Sequence, residues 1–341
     1  MGPHAGVPPQ TPGIDAVIAL LGATGYTGKL VATELSRRGI PHRLGARSPE
    51  KLASVPSDAE RFVLDVGESG RLDEFLDGAT AVISTVGPFI RLGMPAVEAA
   101  ARNGVPYVDS TGEQQFMADV YAKFADAPAP IVPGCGFDFI PADLAAAVAM
   151  ADLGSEVSEI AVHTQAAPIP SRGTARTTVE MAEALSSDAR VRRVAFPDRV
   201  RTAVEFPFGD VPLARHAGRA RVVTTMVLPS AVAPVVRRLS GVLPKLAPLV
   251  ERLPEGPSPK MRARAKFRVL AEALGPGGRA AVLCEGRDVY GLTARFLVAA
   301  AEKVTGAGAM APAEALDPVP FLDTVTGEDE HGAFSWRHLS A

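Results

Sequence analysis

The feature that most constrains the fold is the segment LLGATGYTG, which covers residues 20–28. An apolar run at 16–19 precedes this segment, and a stretch with a helical pattern at 29–35 follows it. A strand, a glycine-rich turn and a helix in this order are typical of the dinucleotide-binding turn of a Rossmann fold, in which the helix N-terminus faces the phosphates. The residues predicted to contact the nucleotide here are Gly22, Thr24, Gly25, Tyr26, Thr27 and Gly28.

A phosphate-binding loop of the P-loop NTPase type is the nearest alternative, and its spacing does not fit. That loop has the pattern G-x-x-x-x-G-K-[ST], in which the final hydroxyl holds magnesium. In this chain five residues separate Gly22 from Gly28, and Leu30 follows Lys29. The sequence therefore favours a dinucleotide.

The end of the second predicted strand indicates which dinucleotide binds. An acidic side chain at this position would accept a hydrogen bond from the ribose 2′-OH of NAD. The sequence instead has Arg47, followed by Ser48 and, one helical turn later, by Lys51. A guanidinium, a hydroxyl and an ammonium suit a 2′-phosphate, so the sequence predicts NADPH. Ser48 as a helix cap and Arg47 as a solvated side chain form the alternative, and both interpretations can hold together.

Composition limits the class of protein. The chain has 341 residues, of which 47% are hydrophobic and 21% charged, and this predicts a globular chain of two domains. The net charge of −3 gives no reason to expect a nucleic-acid partner. Cys135 and Cys284 are the only cysteines and the histidines lack ligand spacing, so no metal site is predicted. Residues 1–13 lack an apolar core, which predicts a flexible tail, no secretory signal and a cytoplasmic location.

Strand-like and helix-like segments alternate up to about residue 140, as in a doubly wound parallel sheet. Ligands of such sheets bind beyond the carboxyl ends of the strands. Loops at 85–89, 109–113 and 134–138 are predicted to lie there. The cofactor contacts predicted from these strand ends are Asp65, Thr85, Val86, Gly87 and Pro88.

Three side chains in these loops are candidates for delivering a proton during hydride transfer. Asp109 and Asp138 are carboxyls at strand ends, and Cys135 lies between them in sequence. Each candidate has a structural alternative: Asp109 caps a turn, Asp138 caps the following helix, and Cys135 is a small core residue.

A predicted helix that begins at Thr174 suggests where a substrate binds. Arg172, Thr174 and Arg176 stand near its N-terminus, where they could hold an anionic group of the substrate. A solvated helix cap is the alternative.

The segment 226–250 is mostly uncharged and is interrupted by prolines, and it is too short for a membrane span. It is interpreted as a lid over a hydrophobic substrate, as a surface that contacts lipid or a partner, or as core.

The loop sequences resemble a known family. The stretches VISTVGPFIRLGMPAVEAAARNGVPYVDSTGE and IVPGCGFDFIPADLAA, together with LLGATGYTG, are similar to the saccharopine dehydrogenase NADP-binding family, and in particular to its subgroup that includes the trans-acting enoyl reductases. The segments RDVYGLTARFLVAAAEKV and MAPAEALDPVPFLDTV are similar to the ends of those proteins. The resemblance implies an α/β fold with an N-terminal Rossmann domain at 14–141, to which the chain returns at about 288–341. It also implies a second α+β substrate domain with a mixed sheet at 142–287.

The resemblance implies an NADPH-dependent oxidoreductase of secondary metabolism. The first hypothesis is an enoyl reductase, which transfers a hydride to a C=C bond of a hydrophobic or carrier-bound lipid or natural-product intermediate. The second is reduction of a C=N bond, by an imine reductase or a saccharopine-type amino-acid dehydrogenase, which Arg172 and Arg176 would favour as carboxylate ligands. The third is a non-catalytic NADPH-binding protein at a lipid surface. Besides the substrate, peripheral lipid and a second copy of the chain are the partner hypotheses.

Overall fold

The computed structural model describes residues 17–166, 190–206, 209–227 and 255–339. Within these residues, one sheet consists of seven parallel strands. They are β1 (Val17–Leu21), β2 (His42–Ala46), β3 (Glu60–Val63), β4 (Ala79–Ser84), β5 (Tyr107–Asp109), β6 (Pro130–Val132) and β13 (Gly308–Ala309). Their order is β13-β6-β5-β4-β1-β2-β3, which contains the strand order of a Rossmann fold.

Helices connect the strands of this sheet, as a parallel topology requires. They are α1 (Tyr26–Arg37), α2 (Pro49–Ala53), α3 (Ser69–Leu76), α4 (Phe89–Leu92), α5 (Met94–Asn103) and α6 (Gln114–Lys123). The predicted doubly wound α/β fold is confirmed.

The second sheet is mixed, as predicted, and has eight strands in the part of the chain that is described. They are β7 (Glu159–Ala166), β8 (Val191–Ala195), β9 (Val200–Glu205), β10 (Arg221–Val227), β11 (Lys266–Gly275), β12 (Gly278–Arg287), β14 (Gly327–Asp329) and β15 (Gly332–Leu339). Their order is β14-β15-β12-β11-β7-β10-β9-β8, and β7 and β10 form the parallel pair among antiparallel neighbours.

The remaining described helices pack on or between the sheets. They are α7 (Ile140–Leu153), α8 (Asp210–His216), α9 (Pro259–Arg264), α10 (Val289–Lys303), α11 (Pro312–Ala315) and α12 (Pro318–Thr324). α7 covers β7, β11 and β12, whereas α10 contacts α1, β4 and β5. Because both helices are apolar on most of their surface, they join the sheets through one core. That core includes Leu20 and Ile83 from the first sheet and Val162 and Val269 from the second.

The C-terminal part of the chain contributes to both sheets. β13 extends the parallel sheet, whereas β15 pairs with β12 and carries β14 into the mixed sheet. The sequence assigned everything after about residue 288 to the first domain, but backbone hydrogen bonds along β12 place this last hairpin with the second sheet. The domain boundaries at 141 and 287 stay a prediction.

Several predicted features lie outside the described residues. They are the tail at 1–13, the residues Arg172, Thr174 and Arg176, and nearly all of the segment 226–250. Among the residues that are described, no helix combines the length and the apolar character that a membrane crossing demands.

A partly buried hydrogen bond between His216 and Asp143 connects α7 and α8 and provides a test of the packing. His216 Nε2 lies 2.7 Å from Oδ1 of Asp143, whose other oxygen accepts a hydrogen bond from the Ala313 backbone N–H. Burial lowers the pKa of His216, but the hydrogen bond and the charge of Asp143 outweigh it, so the net pKa is above its usual value. A raised folded-state pKa adds stability that is complete below the unfolded pKa of about 6.5 and is lost as the pH rises through the folded value.

We therefore expect His216→Gln to reduce the free energy of unfolding by about 1–3 kcal/mol at acidic pH and by less at alkaline pH. Urea unfolding at a pH below 6 and at a pH above 8 measures both values. His338→Gln is the control, because His338 pairs with Asp152 at an exposed site where solvent screens the interaction. An equal loss at both pH values would show that the pair does not act through its charge.

Candidate functional site

The register of the parallel sheet brings four loops to one edge. Leu21 is aligned with Ser84, and Ser84 with Asp109, while Val108 is aligned with Val132. The loops that follow β1, β4, β5 and β6 therefore begin side by side at the carboxyl ends of the strands. This edge is the ligand-binding side of an open α/β sheet.

The glycine turn after β1 has a geometry that larger residues would not allow. Gly22 adopts a φ of 85°, in the left-handed region that favours glycine. A Cβ at Gly28 would lie 2.2 Å from the carbonyl oxygen of Gly22, so α1 packs against the turn at a distance that excludes a side chain. Gly25 is exposed, and among the described residues a Cβ there would meet a single atom within 4 Å, the Gly22 carbonyl oxygen at 3.4 Å. The space beyond Gly25 is thus open to a ligand.

The N-terminus of α1 suits a pyrophosphate. Among the described residues no side chain caps this helix at Gly25, so the backbone N–H groups of its first turn are left for a ligand. These N–H groups and the helix dipole favour a negative charge at this position. The turn therefore fits the diphosphate of a dinucleotide, with Thr24 and Thr27 half-buried beside it.

Tyr26, also predicted as a cofactor contact, uses its side chain for packing. Its hydroxyl donates a hydrogen bond to the carbonyl oxygen of Pro257 at 2.5 Å, and its ring meets that of Tyr290 edge to face at 5.3 Å. Burial raises the pKa of Tyr26 to about 12. Because the Tyr26 side chain is occupied by these contacts, a bound nucleotide would contact the backbone of this residue.

The residues predicted to select the nucleotide lie together after β2 and β3. Arg47 is exposed, and its Nη1 lies 3.9 Å from Oδ2 of Asp65. Ser48 caps α2: its Oγ accepts a hydrogen bond from the Lys51 N–H at 3.2 Å and donates one to the Glu50 carboxylate at 2.8 Å. The capping interpretation of Ser48 is therefore correct, and Arg47 and Lys51 are the exposed cations of this group.

The loop after β4 approaches the glycine turn closely. Oγ1 of Thr85 donates to the carbonyl oxygens of Leu21 and Gly22 at 3.2 and 3.1 Å. A Cβ at Gly22 would lie 2.8 Å from this Oγ1 and 2.9 Å from Cγ2 of Val86. Gly87 is exposed at the same edge, and Pro88 is half-buried. The structure thus brings residues 85–88 next to the turn, at the sheet edge where the sequence placed their loop.

Asp109 is fully buried and is surrounded by hydrogen-bond donors. Its Oδ1 accepts from the backbone N–H groups of Gly134 at 2.8 Å and Thr111 at 3.0 Å, and its Oδ2 accepts from the Tyr107 hydroxyl at 2.8 Å. Burial raises the pKa of Asp109 to about 7, although these donors lower it and the nearby charge of Glu113 raises it further. These contacts favour a role in positioning the loops over direct proton donation.

Cys135 is a core residue by every contact that the structure shows. It is fully buried, and its Sγ donates to the carbonyl oxygen of Val132 at 3.3 Å. Burial and the charges of Asp109 and Asp143 raise the pKa of the thiol well above its usual value. A protonated thiol without access to the edge favours the core interpretation over proton donation.

Asp138 differs from the other two candidates because it is partly exposed. Its Oδ2 lies against the loop after β5, where a Cβ at Gly112 would approach it to 3.2 Å. α7 begins at Ile140 with Phe139 at the N-cap position, so Asp138 is not the capping residue that the alternative interpretation expected. Burial raises the pKa of Asp138 to about 6, which suits a group that exchanges protons near neutral pH.

The backbone around Asp138 is held by residues that the sequence did not single out. The Phe137 N–H donates to Oγ1 of Thr293 in α10 at 3.1 Å, and the Phe137 ring meets that of Phe267 in β11 at 4.6 Å. The loop after β6 is thus fixed by a helix on the first sheet and by a strand of the second. Such long-range contacts leave no local sequence pattern.

Glu113 is a further residue that sequence reasoning missed. Its two carboxylate oxygens accept from the backbone N–H groups of Phe89 at 2.9 Å and Ile90 at 2.7 Å. Its own N–H donates to Oγ1 of Thr111 at 3.0 Å. The spacing Asp109, Thr111, Glu113 is an available signal, because alternate polar side chains after a strand often bond to the backbone two residues on.

Comparison with known proteins supports the interpretation of this edge. The family model of NAD(P)H-binding proteins matches residues 22–126. Trans-acting enoyl reductases of Mycobacterium ulcerans and Mycobacterium leprae are 41% and 39% identical to the chain over 140 residues, which is 37% of this chain and 34% of each relative. The chain thus matches about one third of the length of these relatives.

A solved structure has the same fold over nearly the whole chain. Apo saccharopine dehydrogenase (L-Glu forming) from Saccharomyces cerevisiae has a TM-score of 0.64 at 12% sequence identity, and the alignment covers 95% of this chain and 100% of that one. The chain is therefore similar to NAD(P)H-binding proteins over residues 22–126, shares the fold of saccharopine dehydrogenase and is similar over about a third of its length to the trans-acting enoyl reductases, in agreement with the resemblance of its loops.

Proposed function

We propose that the protein is an NADPH-dependent enoyl reductase that acts on a hydrophobic or carrier-bound intermediate. The observation that carries the proposal is a partly exposed carboxyl with a raised pKa, Asp138, at the same sheet edge as a dinucleotide-binding turn. The names of the relatives support reduction of a C=C bond. The arginines that would favour C=N reduction lie outside the described residues.

The chain's own residues account for nucleotide binding. The turn at Gly22 and Gly25 and the N-terminus of α1 receive the diphosphate, and the exposed backbone at Gly87 lies beside them. Arg47 is the side chain that would pair with a 2′-phosphate, because its guanidinium lies at the end of β2 where an acidic residue would select NAD. Lys51 adds a second positive charge one helical turn away.

The same edge supplies the proton. When bound, NADPH would supply a hydride to one carbon of the double bond, and the π electron pair would then be left for protonation at the neighbouring carbon. The neighbouring carbon then takes a proton, and we assign Asp138 as its source. The protonated carboxyl donates, and the carboxylate that results takes up a proton again, which the partial exposure of Asp138 would allow. Asp109 acts through the backbone that it holds and not on the substrate.

The direct test measures NADPH oxidation by the purified protein with enoyl thioesters and, separately, with cyclic imines. We expect oxidation with enoyl thioesters. Turnover with imines alone would support the second hypothesis, and tight NADPH binding without turnover on either substrate would support the non-catalytic one.

Replacement of the nucleotide-selecting arginine should change one affinity and spare the other. We expect Arg47→Ala to weaken NADPH binding by about 1–3 kcal/mol, because a charge-assisted contact is lost, and to leave NADH binding nearly unchanged. Calorimetric titration with both nucleotides measures the difference. Arg71→Ala, which removes an exposed arginine of α3, is the matched control. Equal losses for both nucleotides would show that Arg47 does not contact the 2′-phosphate.

Replacement of the proposed acid should affect turnover and spare nucleotide binding. We expect Asp138→Asn to reduce kcat by about 100-fold or more with an unchanged Kd for NADPH. In the wild type, kcat should fall as the pH rises above the pKa of about 6, because the donor must be protonated. Asp126→Asn, at an exposed site beyond α6, is the control. A wild-type rate with Asp138→Asn would exclude this residue as the proton source.

A further inference from the structure

We propose that Glu113 is a positioning residue for nucleotide binding, because it fixes the loop after β4 from the loop after β5. The inference rests on the nucleotide-binding part of the proposed function and is independent of enoyl reduction. Glu113 lies in the second of these loops and is largely buried. Its contacts are to backbone groups, so its role is to hold the nucleotide-facing loop and not to take part in the reaction.

The first end of the loop at 85–88 is attached to the glycine turn. The Thr85 N–H donates to the carbonyl oxygen of Leu21 at 2.9 Å, and Oγ1 of Thr85 donates to the same carbonyl and to that of Gly22. These bonds fix where the loop begins. They do not fix where it ends.

The second end of the loop depends on Glu113. α4 follows directly, and the backbone N–H groups of Phe89 and Ile90 in its first turn have no partner within the helix. The N-cap residue is Pro88, which has no side-chain acceptor. The Glu113 carboxylate takes both N–H groups, one on each oxygen. A carboxylate from another loop therefore performs the capping that the local sequence lacks.

Glu113 is in turn held in place. Oγ1 of Thr111 accepts the Glu113 N–H, and the Thr111 N–H donates to Oδ1 of Asp109, which also accepts the N–H of Gly134. The loops after β4, β5 and β6 are thus joined through Glu113, Thr111 and Asp109. We call these three residues the polar brace.

Between its two attachments, the loop offers its backbone to a ligand. Gly87 is exposed, and Val86 and Pro88 are half-buried beside the glycine turn. A loop that is ordered before binding loses less conformational entropy when the nucleotide binds. Removing one attachment should therefore weaken nucleotide affinity and leave the rest of the fold intact.

The experiment compares Glu113→Gln with the wild type by calorimetric titration with NADPH and by amide hydrogen exchange. The amide group of Gln replaces one acceptor oxygen by a donor, so the N–H of Phe89 or Ile90 loses its partner. We expect the Kd for NADPH to rise about tenfold and exchange at Phe89 and Ile90 to accelerate. An NADPH Kd within about twofold of the wild-type value would overturn the inference, whatever the exchange rates.

Four further variants separate positioning from general destabilisation. Glu98→Gln removes an exposed carboxylate of α5, and Leu322→Ala removes a buried side chain of α12; both should keep the wild-type Kd. Thr111→Val removes the acceptor of the Glu113 N–H and should raise the Kd in the same direction as Glu113→Gln, whereas Thr111→Ser should not. A Leu322→Ala protein with a Kd as weak as that of Glu113→Gln would overturn the inference.

The outcome is decided even if Glu113→Gln does not fold. Exchange in the wild type should then be slower at Phe89 and Ile90 than at the exposed Gly87, and Thr111→Val should still weaken NADPH binding. Fast exchange at both amides in the wild type, or a normal Kd for Thr111→Val, would contradict the polar brace. A wild-type protein that binds NADPH but reduces no enoyl substrate would overturn enoyl reduction and leave this inference standing.

Discussion

The buried Asp109 carboxylate is the interaction on which the candidate site depends. Parallel strands end at one edge of the sheet. The loops that follow them have backbone N–H groups that cannot donate a hydrogen bond to a neighbouring strand. Asp109 accepts two of these groups, from Thr111 and Gly134, together with the Tyr107 hydroxyl. Because a buried group without a partner costs about 1–3 kcal/mol, one carboxylate that serves three donors strongly favours this single arrangement of the loops.

The first turn of α1, which follows the glycine turn, contacts the segment at 255–257 that leads into the mixed sheet. The Tyr26 hydroxyl donates a hydrogen bond to the carbonyl oxygen of Pro257, and the Tyr26 ring packs on that of Tyr290. Nζ of Lys29 lies 3.4 Å from Oε2 of Glu255. A side chain at Gly256 would collide with the Tyr26 ring at 2.4 Å. The segment that leads into α9 and the mixed sheet is therefore seated beside the glycine turn. A shift of the second sheet away from the first must break these contacts, so its position is coupled to the end of α1 that faces the diphosphate.

Much of the first sheet could be predicted from sequence because its signals are local. Continuous apolar runs such as 17–21 indicate buried parallel strands, and the glycine turn and alternating helices then determine the topology. The strands β8, β11 and β15 gave no such signal, since charged residues interrupt them. Arg192 in β8, for example, is neutralised by Glu159 and Glu205 from other strands. These ion pairs join residues on different strands, so a pattern within one strand does not indicate them.

For the candidate site, the sequence predicted which loops form it and did not predict the contacts within it. Strand ends indicated where Asp109, Asp138 and residues 85–88 would lie, but they did not indicate which atoms face one another. Glu113 was missed because its partners, Phe89 and Ile90, come more than twenty residues earlier in the chain. The role of a carboxylate that caps a helix from another loop can be recognised only from the folded structure.

Two carboxyls at neighbouring strand ends show why a raised pKa does not identify a proton donor by itself. Burial raises the pKa of Asp109 to about 7 and that of Asp138 to about 6, so acidity alone would favour Asp109 as the acid at neutral pH. The surroundings reverse that order. Both oxygens of Asp109 accept hydrogen bonds and the residue is fully buried, whereas Asp138 is partly exposed. A proton donor must reach its substrate and be protonated again, and the partial exposure of Asp138 is the reason why we propose it, and not Asp109, for that role.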